Sequence, residues 1–122
     1  MKNFIPIVEI PTIDFSRAVA FYQAILDISI EEIEMDGVQM GLFPNAGKNV
    51  FVQLINGSEY KTSTDGTIVY LNGGDDLQKV ANKIEANGGK IILPKTEIGP
   101  EMGFYAMFTD TEGNKLGLHS YK

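Results

Sequence analysis

The chain carries one histidine and no cysteine, so its reactive groups are imidazole, carboxylate, phenol and amide. The histidine, His119, falls in Leu116-Gly-Leu-His-Ser-Tyr121. Strand alternation there sets Gly117, His119 and Tyr121 on one face and Leu116, Leu118 and Ser120 on the other. Near the opposite end Glu9 shares a face with Ile5 and Ile7, a carboxylate in an otherwise apolar row. Burying it is costly unless a charged or hydrogen-bonding group meets it, and His119 is the natural candidate. Where the two meet, they form a pair able to move a proton on or off a bound molecule near neutral pH. The competing reading is structural: His119 half exposed near the chain end, and Glu9 capping a backbone group or facing water.

Composition limits the alternatives. Without cysteine there is no thiolate nucleophile and no zinc–thiolate site. Ten Lys plus Arg against sixteen Asp plus Glu give a net charge of −6, which repels a phosphate backbone and argues against nucleic acid as a partner. Apolar residues at 43% and charged residues at 21% over 122 positions describe a single domain able to bury its own core. No apolar run approaches the ~18 residues of a membrane span, and the first residues lack a signal-peptide pattern, so a cytoplasmic location and no membrane partner are expected.

The elements that must position these groups read in order. Phe4 to Ile10 is a strand, with Pro6 near its start and Pro11 closing it, which suits a strand end or a sheet edge. Asp14 or Ser16 caps a helix whose Ala18, Phe21, Tyr22 and Ile25 form one stripe. Strands follow at about Ile28 to Glu34, Val38 to Phe43 after the Asp36-Gly37 turn, and Val50 to Ile55 after Pro44-Asn45-Ala46-Gly47. The order then recurs: strand Thr67 to Asn72, a break at Gly73-Gly74, a cap at Asp75 or Asp76, and a helix with Leu77, Val80, Ala81 and Ile84 inward. Asn87-Gly88-Gly89 ends that helix, and strands follow at Lys90 to Pro94, Gly103 to Thr109 and Lys115 to Tyr121. Asp110 to Asn114 is the turn before the last strand. Val8 and Val69, Asp14 and Asp75, and Val19 and Val80 each lie 61 positions apart, so a β-α-β-β-β unit occurs twice, about 1–60 and 61–122.

This repeat, with Ile10-Pro-Thr-Ile-Asp-Phe-Ser-Arg-Ala-Val-Ala-Phe-Tyr22, Gly88-Gly-Lys-Ile-Ile-Leu-Pro-Lys-Thr-Glu-Ile-Gly99 and Asp110-Thr-Glu-Gly-Asn-Lys-Leu-Gly-Leu118, resembles the vicinal oxygen chelate superfamily of glyoxalases, bleomycin-resistance proteins and extradiol dioxygenases. The resemblance implies an α+β fold in which two βαβββ modules form curved mixed sheets around a central cleft, and a homodimer. It also implies a divalent metal on the cleft floor, yet the family's ligand positions fall on Ile7, on Thr67, Ile68 or Val69, and on Gly117. Gln53 is the nearest to a ligand, so no metal residue is assigned. Glu9 and His119, each two residues beyond such a position, project into that cleft as the candidate catalytic pair. Gln53 and Tyr70 complete a polar ring, Met102 and Tyr105 form an apolar wall or lid, Tyr121 joins them as a substrate-binding residue, and Glu97 to Gly103 reads either as an ordinary strand connection or as a flap. Two functions fit: a glyoxalase-like lyase or isomerase acting on a small oxygenated metabolite without the standard metal set, or a non-catalytic protein that binds and sequesters a small apolar or aromatic molecule.

Overall fold

The computed structural model describes residues 4–45 and 50–122; part of the turn predicted at Pro44-Asn45-Ala46-Gly47 lies outside them. The first half runs β1 (Ile7–Pro11), α1 (Phe15–Leu26), β2 (Glu31–Met35), β3 (Val38–Leu42) and β4 (Phe51–Asn56). Its sheet has the order β1-β4-β3-β2, with β1 parallel to β4 and the other pairs antiparallel. The second half repeats this as β5 (Tyr70–Asn72), α2 (Gln78–Ile84), β6 (Lys90–Gly99), β7 (Gly103–Thr109) and β8 (Lys115–Ser120), in the order β5-β8-β7-β6. A 3₁₀ turn, Glu85–Asn87, extends α2. The fold is therefore α+β, with two mixed four-stranded sheets of identical connectivity.

Asp14 starts α1 by accepting a hydrogen bond from the Arg17 N–H at 3.1 Å. The helix ends at Asp27, whose φ of 55° is left-handed and whose N–H returns to the Gln23 carbonyl. The predicted stripe Ala18, Phe21, Tyr22 and Ile25 is wholly buried. Each of the larger three stabilises the fold by about 1.5–3 kcal/mol relative to exposure. Phe21 meets Tyr22 edge-on at 5.0 Å between centroids and packs on Phe108 of β7 at 6.3 Å. Helices and inward sheet faces thus share one core, which contains Ile10 and Leu54 from the first sheet and Ala106, Leu116 and Leu118 from the second.

Strand limits differ from the sequence reading where proline and short pairing intervene. The first strand begins at Ile7 and takes in Pro11, which it tolerates as an edge strand; Phe4 is exposed. The strand expected from Thr67 pairs with β8 only over Tyr70–Asn72. β6 runs on through Pro94 to Gly99, on a sheet edge, with register shifts on both sides of that residue. No helix among the described residues is long and apolar enough to cross a membrane.

Candidate functional site

The last strand sets the site. Leu116, Leu118 and Ser120 of β8 are buried toward the helices, so Gly117 and His119 must face the other way. Cross-strand pairing places Tyr70 of β5 and Met107 of β7 beside Gly117, and Asn72 and Tyr105 beside His119. A Cβ at Gly117 would collide with the Tyr70 ring, so the absence of a side chain is what lets that ring lie across β8. The His119 Nε2 lies 2.9 Å from the Met102 carbonyl oxygen. A carbonyl only accepts, so Nε2 carries the proton and donates it, which leaves Nδ1 as the ring's remaining nitrogen. Tyr121 meets the imidazole edge-on at 4.8 Å, and Tyr70 and Tyr105 lie 6.3 Å apart. Together with Glu97, Ile98 and Glu101 these groups line an open hollow of about 800 Å³.

Glu9 lies elsewhere. It is exposed, and its Oε2 accepts a hydrogen bond from Gln53 Nε2 at 3.0 Å, as expected for neighbours in register on β1 and β4. It lines a smaller hollow of about 190 Å³ between the halves, together with Lys61, Asp65 and Lys115. The structure thus gathers His119, Tyr70, Met102, Tyr105 and Tyr121 into one place and Glu9 with Gln53 into another. The single chain does not join Glu9 to His119, and it does not form the expected ring with Gln53 and Tyr70 on one rim. The premise for pairing them was a buried carboxylate, and an exposed one has water to solvate it.

A profile of the Glyoxalase/Bleomycin resistance protein/Dioxygenase superfamily matches residues 5–118. The chain belongs to this superfamily. Solved structures agree in fold. Glyoxalase I from Zea mays aligns with a TM-score of 0.72 at 17% identity, covering 95% of this chain and 45% of that one. The chain therefore spans a little under half of that protein's length. The fosfomycin resistance protein FosX from Listeria monocytogenes aligns at 0.69 with 18% identity, covering 100% and 96%. UcmS2 aligns at 0.72 with 20% identity, covering 98% of both chains. At these identities the likeness shows the fold alone. No curated protein matches by sequence.

The donor set does not suit the superfamily's metal. Of the corresponding positions, Ile7 has an aliphatic side chain, and Gly117 has none and no room for one because Tyr70 fills the space. No group of three or more His, Asp or Glu side chains able to hold an ion occurs among the described residues. No step is therefore assigned to a metal.

The most connected polar groups are ones the sequence reading treated only as a turn. Tyr22, in the core, donates to Asp110 Oδ2 at 2.6 Å. Asp110 Oδ1 accepts from the N–H groups of Glu112 and Asn114 at 2.8 and 2.9 Å. Glu112, 1% exposed, accepts from the Ile13 and Asp14 N–H groups at 2.7 and 2.6 Å, from Arg17 Nε at 2.8 Å and from Thr111 Oγ1 at 2.7 Å. Burial pushes the Glu112 carboxyl up, but the Arg17 guanidinium and these donors outweigh it and hold the pKa at about 2. Burial first, and then the Asp110 charge, raises Tyr22 well above the usual phenol range. Asn114 Nδ2 donates to the Pro11 carbonyl at 2.7 Å. The turn therefore clasps the first half from the second. Four polar side chains within five residues, between the apolar runs of β7 and β8, were the available signal.

Proposed function

We propose that this protein binds a small apolar or aromatic molecule in the hollow over its second sheet, with Tyr70, Tyr105 and Tyr121 as walls and His119 as polar anchor. The observation that carries the reading is the hollow itself: about 800 Å³, within the usual range of ligand sites, and walled mainly by aromatic and apolar side chains. Met102 is both wall and latch, since its carbonyl fixes the imidazole. The neutral fluorescent probe 1-N-phenylnaphthylamine tests the reading. Saturable binding is expected, weakened about tenfold or more in Tyr105→Ala, the scale of one lost aromatic contact. Binding that does not saturate, or that ignores Tyr105→Ala, would end the proposal.

A second reading, a lyase or isomerase acting on a small oxygenated metabolite, draws on Nδ1 of His119, the nitrogen that does not face the Met102 carbonyl, as a proton carrier. It predicts His119-dependent exchange of α-hydrogens of small hydroxyketones into heavy water, seen by proton NMR. Binding without exchange supports the sequestering protein. In either case we propose a homodimer. Ile7, Ile33, Met35 and Phe51 lie exposed on the face of the first sheet that carries Glu9, and a partner covering it would bury them. Light scattering should give twice the chain mass, and Phe51→Glu should halve it. A monomeric native protein refutes the dimer and leaves the hollow's role standing.

A further inference from the structure

We infer that the ligand of this hollow is an organic cation, an aromatic or alkyl ammonium, and this inference rests on the binding role proposed above. Three tyrosine rings, Tyr70, Tyr105 and Tyr121, line one space, and the electron-rich faces of such rings attract cations. Two carboxylates, Glu97 near the end of β6 and Glu101 in the turn after it, line the same space. No ion pair among the described residues involves either of them. No lysine or arginine among the described residues lines the hollow. The base nearest along β6, Lys95, is committed elsewhere: its Nζ lies 2.7 Å from Asp76 Oδ1 and 4.6 Å from the centre of the Phe104 ring.

The chemistry is one-sided in consequence. An anion entering this space would meet two carboxylates, with no lysine or arginine among the described residues lining it to offset them. A neutral aromatic gains packing alone. A cation gains the same packing, a ring-face attraction and a Coulomb term, and the net charge of −6 favours its approach. Glu97 and Glu101 are both exposed, so the Coulomb part is screened by salt, whereas the ring-face part persists.

Three probes with one bicyclic skeleton separate these contributions: N-methylquinolinium, 2-methylnaphthalene and 2-naphthoate, carrying positive, zero and negative charge. Calorimetric titration should find the cation bound about tenfold more tightly than the neutral probe, and the anion weakest. In the double variant Glu97→Gln/Glu101→Gln that preference should shrink, with the affinity of the neutral probe unchanged. Both side chains are exposed, so the variant is expected to fold, which circular dichroism checks. In about 0.5 M salt the preference of the native protein should also narrow. Equal or tighter binding of the neutral probe by the native protein, or a preference undiminished by the double substitution, would overturn the cationic assignment and leave the hollow's binding role intact. If none of the three binds, the binding role fails, and the charge assignment fails with it.

Discussion

Tyr70 and Gly117 are a pair at residue scale: one supplies a ring and the other supplies the space for it. Gly117→Ala places a methyl group where the ring now sits, and Tyr70, half exposed, is free to swing out rather than strain the sheet. The variant should therefore lose about tenfold or more in affinity for 1-N-phenylnaphthylamine while keeping its unfolding midpoint near that of the native chain. Full affinity in Gly117→Ala would show that the ring's position is irrelevant to binding. The faces of His119 and Tyr121 were legible because strand alternation is strict and Leu116 and Leu118 mark the inward side. The partner of Glu9 was not. Alternation gives a face but no distance, and a neighbour on β4 in register with β1 satisfied the carboxylate before His119 could.

At the scale of elements, hydrophobic period and turn chemistry carried most of the information. The α1 stripe, the Asp36-Gly37 hairpin and the β7 limits stand as the sequence reads them, since each is set by local spacing. The start of β5 and the end of β6 were not legible, because they depend on where cross-strand pairing stops and on how an edge strand absorbs Pro94. The packing of α1 depends on one buried polar bond as well as on its apolar stripe. Tyr22→Phe removes the donor to Asp110 Oδ2 and leaves that oxygen with only Asn114 Nδ2, at 3.0 Å. Urea unfolding should show a loss of about 1–3 kcal/mol with an unchanged denaturant slope. A loss within a few tenths of a kcal/mol would mean that the bond contributes nothing net.

Across the whole molecule the 61-residue offset made the twofold repeat of sheet order readable, and for that reason it concealed what joins the halves. Glu112 corresponds by that offset to Phe51, so the repeat contains no second clasp from which the first could be inferred. The clasp has a defined pH signature. Its carboxyl titrates at about 2 in the folded chain against an ordinary value of 4.5. Between those values the unfolded chain binds the extra proton, so stability rises with pH there. The contribution is complete above the ordinary value and disappears as pH falls toward the folded one. Arg17 is about half exposed, so most of the effect belongs to the two backbone N–H bonds at the start of α1 and the Thr111 hydroxyl. Glu112→Gln keeps the shape and removes the charge, and should cost about 2 kcal/mol near neutral pH. Urea unfolding of both proteins from about pH 7 down to about pH 3 should show the two stabilities converging on acidification. A difference that stayed constant over that range would mean that the charge of Glu112 does not hold the halves together, and the clasp would reduce to the shape of the turn.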